Sequence, residues 1–254
     1  MKSPPNKGAF TLVELLIAIA ILVVLMSLAL SGVQMARKRA DNTKCINNLR
    51  QLGIALHLFA SDNNGKIPPR LLGNNRDKNT PPLPKPKSGT PKSWTSRLIA
   101  GGYVSDPDIF YCPSFFPRNN KEAIKKADSG EACQAYGMRI WRPADDPLVS
   151  EEDRPIRIIE NHSEFFILAD SLWTSDGWKS QGYGIAAAKT PSGQFVHLRH
   201  QGKANTLFLD GHVEAKDQSF FDIINKPRTE GGLGQDYFSS KTNVFWTSTL
   251  EKFE

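Results

Sequence analysis

The chain has 254 residues, with 32 Lys and Arg against 26 Asp and Glu, giving a formal charge of +6. That length holds one globular domain plus further segments, and the basic residues are spread along the chain rather than gathered into aromatic-interleaved patches, which argues against a nucleic-acid partner. Three cysteines are too few for a disulfide-dense scaffold, yet enough for one bridge if the domain lies outside the cytoplasm.

The first organised stretch is Gly8-Ala9-Phe10-Thr11-Leu12-Val13-Glu14-Leu15-Leu16, which opens an apolar run reaching Leu30. A bilayer core about 30 Å thick needs about 20 residues of helix. Phe10 to Gly32 meets that length only if Glu14 is carried into the apolar zone. An acidic side chain at the centre of a spanning helix costs about 2.5–3.5 kcal/mol. Glu14 therefore either pairs with a cation at depth or sits close enough to the helix end to reach the headgroups.

Lys2 and Lys7, a small-residue junction and then Phe-Thr-Leu-Val-Glu before the apolar run resemble the prepilin leader and N-terminal segment of type IV pilins and type II secretion pseudopilins. The resemblance implies a membrane prepilin peptidase that cuts on the cytoplasmic side, keeps the helix and N-methylates the new first residue. In that family the glutamate is the fifth mature residue, which places the cut between Ala9 and Phe10 and the methyl group on Phe10. Gly8, the residue type usual before the cut, stands one position early, and cleavage after it would make Glu14 the sixth residue. An α-amine has a pKa near 7.7–8.0, so a mature N-terminus is mostly cationic. In an assembled filament the resemblance pairs Glu14 with the N-terminus of a neighbouring subunit.

The same resemblance implies a leader over 1–9, a transmembrane helix over 10–32, a helical stem over 33–61 and an α+β head over 62–254. The fold class expected is a long N-terminal helix packed on a small antiparallel sheet, as in pilins. Other pilin-like subunits and inner-membrane assembly proteins are the implied partners. Lys2 and Lys7 lie before the span and Arg37, Lys38 and Arg39 after it, so flanking charge alone would keep the C-terminal side in the cytoplasm. The resemblance implies the reverse, an inner-membrane anchor with its N-terminus cytoplasmic and its head exported.

Beyond Gly32 the apolar spacing turns periodic. Val33, Ala36, Ala40 and Thr43 lead into Ile46, Leu49, Leu52 or Gly53, Leu56 and Phe59, the three-and-four spacing of one helix face. With no intervening proline, one helix is expected from about Thr11 to about Ala60, ending at Ser61-Asp62-Asn63-Asn64-Gly65 before Pro68 and Pro69. Asn and Gln residues along the stem read as its solvent side. The stretch Cys45-Ile-Asn-Asn-Leu-Arg-Gln-Leu-Gly53 resembles a subgroup of pilin-like proteins of the planctomycete and verrucomicrobial type.

Residues 74–92, with Pro81-Pro82-Leu83-Pro84-Lys85-Pro86, read as an extended Pro/Lys-rich loop. Trp94 to Ile99 reads as a short helix ending at Gly101-Gly102, with Trp94 in the core. Phe110-Tyr111-Cys112-Pro113 and Ala135 to Trp141 read as short strands. Cys112 is placed to bridge either Cys133 or Cys45, and sequence does not choose between them. No Cys-x-x-Cys or paired His-Cys spacing points to zinc. Phe165 to Asp170 reads as a buried strand with Asp170 capping the turn after it or binding a cation, and Trp173 to Ala188 as an irregular loop over the sheet.

Asp210-Gly211 lies between two alternating apolar runs, a strong hairpin signal. A two-residue turn there puts Phe208 opposite Val213, on one face with Thr206 and Ala215. His200, nine residues, then Asp210-Gly211 resembles a C-terminal signature that accompanies prepilin-type N-termini. His200, Asp210 and His212 are the metal candidates, with His197 beside them. Asp210, Glu214 and Asp217 are the oxygen donors calcium would use, although no loop spacing supports it. No cofactor is expected. No serine elbow, phosphate loop or helix-borne His-Glu pair is present, so the chain reads as a structural subunit of a pseudopilus or pilus-like filament and not as an enzyme. The alternative is a membrane-anchored, non-polymerising binder of an extracellular polysaccharide or another ligand.

Overall fold

The computed structural model describes residues 12–68, 93–115, 135–139, 156–159, 161–175, 178–182, 184–185, 193–224 and 246–247. The leader, Phe10, the Pro/Lys-rich loop at 74–92 and Cys133 lie outside the described residues. Two compact units divide the chain, Met1–Asp41 and Asn42–Glu254.

One helix, α1 (Leu12–Asp62), carries both the apolar run and the periodic stripe. In the first unit its described large apolar side chains face outward, from Val33 at 48% exposed to Leu12 at 81%. In the second unit the helix buries Cys45, Asn48, Leu49, Leu52, Ala55, Leu56 and Phe59. The early part of the expected stripe differs, since Val33, Ala36, Ala40 and Thr43 are exposed. Asn48 is also not on the solvent side: it is buried and its amide donates to the Tyr111 carbonyl at 2.8 Å. The helix stops where Asn64 and Gly65 take φ of 55° and 73°, and Gly65 N donates to Ala60 O at 2.8 Å. Such left-handed residues close a helix by satisfying its last carbonyls.

Helix α2 (Trp94–Ala100) starts at a capping box in which Ser93 and Ser96 exchange side-chain and backbone bonds. Trp94 is fully buried and meets Phe110 edge-on at 5.4 Å. The segment expected as a strand at Phe110–Pro113 is instead the end of a 3-10 turn, Pro107–Phe110, followed by a tight turn from Cys112 to Phe115. Its cause is local: Asp106 caps the amide of Asp108 and Pro107 starts the turn.

Among the described residues nine strands follow: β1 (Gly137–Arg139), β2 (Phe166–Ala169), β3 (Ser171–Ser175), β4 (Trp178–Ser180), β5 (Gly184–Ile185), β6 (Gly193–His197), β7 (Lys203–Phe208), β8 (Val213–Asp217) and β9 (Trp246–Thr247), with helix α3 (Gln218–Ile224) between the last two. They form not one sheet but two, in the orders β5-β1-β2-β7-β8 and β4-β3-β6-β9. Pairing is antiparallel except for β1 with β5 and β6 with β9. Within the irregular loop expected over Trp173–Ala188, the described residues are thus mostly strand. Ser175 pairs with Trp178 across a two-residue connection that reads Asp176-Gly177 in the sequence, the same dipeptide signal that marks the later hairpin.

The central strands are covered on both faces. Leu168 and Leu207 pack with Leu49, Leu52 and Leu56 of α1, while Phe166, Ala204 and Phe208 pack with Val196, Leu198 and Phe221. This double burial explains why β2 is a continuous apolar run rather than an alternating one. Each such leucine or phenylalanine contributes about 1.5–3 kcal/mol relative to exposure. Gly53 lets β7 come close to the helix: a Cβ there would meet the Leu207 side chain at 3.0 Å and the Gly211 Cα at 3.9 Å.

Candidate functional site

Two features gather the residues singled out by the sequence: the outer part of α1, and β7 with the turns at its two ends. Glu14 lies in the first turn of α1. The cleavage residues Gly8, Ala9 and Phe10 lie outside the described residues.

β2 ends at Ala169 and β3 begins at Ser171, so Asp170 is the single residue through which the chain leaves one sheet for the other. Asp170 N donates to Asn205 O at 3.0 Å, and its carbonyl accepts from His197 N at 2.9 Å. Residues Leu198 to Gly202 make the return crossing, from β6 to β7. The two crossings lie side by side, which drives a polar cluster into the core.

The Asp170 side chain is fully buried. Its Oδ2 accepts from Asn205 N at 2.8 Å and lies 3.2 Å from His200 Nε2, and its Oδ1 is 3.8 Å from Arg199 Nε. Burial alone would raise its pKa. The Arg199 charge, the His200 hydrogen bond and charge, and the Asn205 amide together outweigh that and hold the carboxyl below its ordinary value. Arg199 donates from Nε to His197 Nδ1 at 3.0 Å and from its terminal nitrogen to the Ser171 carbonyl, with its guanidinium 4.8 Å from the Phe115 ring centre. His197 must therefore offer Nδ1 as a neutral acceptor. Burial, with the charge of Arg199, lowers its pKa to about 3.

His200 reaches a second partner. Its Nε2 is 3.4 Å from Cys112 Sγ, and Cys112 is bonded to Cys45 of α1. Of the two pairings open to Cys112, the structure thus joins it to the helix. Tyr136 closes the cluster from another side, its hydroxyl donating toward the carbonyls of Cys45 and Tyr111, each at 3.3 Å. Removing one member of a buried charge pair costs about 3–5 kcal/mol, so Asp170 and Arg199 hold the two sheet crossings against each other.

His200 and Lys203 exchange backbone bonds at 2.9 and 3.2 Å around Gln201 and Gly202, whose φ values are 56° and 79°. This is the turn with two positive φ values expected at Asp210-Gly211, displaced to the other end of β7. At Asp210-Gly211 only Gly211 is left-handed, with φ of 93°. Gly211 N donates to Phe208 O at 3.0 Å and Phe208 N to His212 O at 2.9 Å, the bonds of a three-residue loop with a glycine bulge. The extra residue shifts the register by one, pairing Leu207 with Val213 and Thr206 with Glu214. Leu209 is thereby fully buried instead of standing in the strand ladder, and its amide donates to Phe165 O at 2.8 Å.

The nine residues between His200 and Asp210 are thus one turn, one strand and the first residue of a second turn. His200 lies at one end of β7 and Asp210 and His212 at the other, and a six-residue strand separates its ends by roughly 17–20 Å. The three cannot share one metal ion. Asp210 Oδ1 accepts from His212 N at 3.1 Å and lies 2.6 Å from His212 Nδ1, while His212 stacks on Phe208 at 4.2 Å. Nor do the calcium donors converge. Glu214 pairs with Lys216 at 2.7 Å, and Asp217 caps α3 through Ser219 Oγ at 2.6 Å and Phe220 N at 3.3 Å.

Arg199, Asn205 and Tyr136 were not legible as site residues. One signal existed: Asn205 is polar in the middle of a strand, between Ala204 and the apolar Leu207-Phe208, and its buried side chain donates to Asn42 of α1 at 2.8 Å.

Residues 4–30 match the family model described as the prokaryotic N-terminal methylation motif. Residues 34–100 match the model described as a protein of unknown function, DUF1559. No curated protein matches the chain, and neither does any solved structure.

Proposed function

From a prokaryotic N-terminal methylation motif over residues 4–30 and a DUF1559 match that begins at residue 34, inside the same helix, we propose a structural subunit of a pseudopilus or pilus-like filament serving a type II secretion-like system. Prepilin peptidase removes residues 1–9, the helix stays in the inner membrane with its N-terminus cytoplasmic, and the head is exported. The work is assembly rather than catalysis.

One observation carries this reading. The methylation motif overlaps an outward-facing apolar segment, the one described helix long and apolar enough to cross a membrane, and the same unbroken helix continues into the core of the head. A helix so divided can pack against lipid and other subunits with its first half while holding a folded domain with its second. Export of the head is supported by the Cys45–Cys112 bridge, a bond that persists in oxidising compartments. In this reading Glu14, in the first turn of α1, meets the α-amine of a neighbouring subunit and sets its axial register.

The test is Glu14→Ala in the native host, reading filaments sheared from cells against processed protein in membranes. Processed chain with an empty sheared fraction is the expected result. Unchanged filaments would sink the assembly reading, and a wild-type level of surface display without filaments in either strain would favour the anchored binder.

A further inference from the structure

We propose that Cys45, Cys112, Asp170 and His200 form a tetrahedral zinc site when the two cysteines are thiols, so that metal and disulfide are alternative closures of the same junction between α1 and the sheets. Four residues from four separate parts of the chain bring one ligand atom each to within 4.8 Å of the others. Two thiolates, one imidazole nitrogen and one carboxylate oxygen form a donor set that tetrahedral zinc accepts. Cys45 and Asp170 are fully buried, Cys112 is 2% exposed and the His200 side chain 7%. The sequence hides the site because its spacing is 67, 58 and 30 residues rather than that of a local finger.

The geometry needs little change. Two zinc–sulfur bonds of about 2.3 Å at a tetrahedral angle put the sulfurs about 3.8 Å apart, so opening the bridge makes most of the required room. His200 already points Nε2 at both Cys112 Sγ and Asp170 Oδ2, at 3.4 and 3.2 Å. Among the described residues the buried Asp170 Oδ1 atom has no hydrogen-bond partner and offers a lone pair to an ion. Outer contacts hold the ligands as zinc sites require: Asn205 N donates to Asp170, and Arg199 Nε lies 3.8 Å from its Oδ1.

Charge balances in both states. With the bridge closed, Asp170 faces Arg199 as one negative and one positive charge. With zinc, two thiolates and Asp170 give three negative charges against the two of the metal, and Arg199 supplies the last. Two thiols and one Zn2+ give the zinc dithiolate and two protons. Attack by one of these thiolates on an external protein disulfide forms a mixed disulfide and releases one external thiolate; attack by the second thiolate then releases the other, and with uptake of two protons the products are the Cys45–Cys112 bond, two external thiols and free Zn2+. Binding and bridging therefore exclude each other.

The test uses full-length protein in detergent, held without oxygen under a phosphine reductant and titrated with Co2+ alone, then with Zn2+. One cobalt per chain is expected, with a thiolate charge-transfer band and tetrahedral absorption that one equivalent of Zn2+ bleaches. His200→Ala should weaken binding by about tenfold or more, Cys112→Ser should abolish the band, and the air-oxidised protein should show none. X-ray absorption on the wild-type zinc form, which needs no variant to fold, should find two sulfur and two nitrogen or oxygen neighbours. Absence of the band in reduced protein, a band indifferent to His200→Ala, or a zinc shell of three sulfurs would each overturn the site.

Discussion

The two halves of α1 are one helix in two environments. From Leu12 to Leu30 the described apolar side chains face outward, whereas from Cys45 to Phe59 one stripe of them is buried inside the head and Ile54 and Leu58 stay exposed. Composition identifies the first half and periodicity the second, because a surrounding apolar medium asks for hydrophobicity on every side and a domain asks for it on one. The difference teaches where the head draws its stability from the helix: from the buried stripe between Cys45 and Phe59.

Three perturbations sharpen that contrast. The largest is loss of the bridge that ties the inner half to the head. Its ends are 67 residues apart, a loop whose closure is worth about 4 kcal/mol on chain-entropy grounds. Cys112→Ser should lower head stability by that amount in a denaturant titration of detergent-solubilised protein, and Cys45→Ser should match it. Next come paired truncations. Leu49→Ala should cost about 2–5 kcal/mol, while Leu22→Ala, at a position 53% exposed, should leave the same unfolding curve in place.

The third is acid. His197 has its pKa lowered from 6.5 to about 3, so the unfolded chain binds the proton more readily than the folded one. Its contribution is complete above pH 6.5 and is lost as the pH falls toward 3, about 3 kcal/mol by pH 4. Asp170, held below its ordinary value of 3.8, has the same sign in a lower window, losing its contribution only as the pH falls below about 4. Replacing His197 with Gln should flatten the upper limb between pH 6.5 and 4 and leave the lower one. A slope unchanged by that substitution would remove His197 from the account.

Local chemistry was the legible part. The stop of α1 at Asn64-Gly65, the capped helix at Trp94 and the buried strand before Asp170 each follow from a few adjacent residues. The register of the last hairpin did not, because burial of Leu209 and the single left-handed Gly211 selected a three-residue loop over the two-residue turn that Asp-Gly favours. The second sheet was obscured by glycines that suggest loop, although Asp176-Gly177 marked a hairpin there. Least legible was the cluster at Asp170. His200 could be singled out, but its partners come from α1, a turn and the crossing between two sheets, and only the folded chain brings them together.

The central claim is that this helix is a processed prepilin segment, and mass spectrometry of the N-terminal peptide from native-host membranes tests it most directly. The account predicts a chain beginning at N-methylated Phe10, with Glu14 as its fifth residue. A chain that keeps Lys2 and Lys7, or one cut after the apolar run, would contradict it.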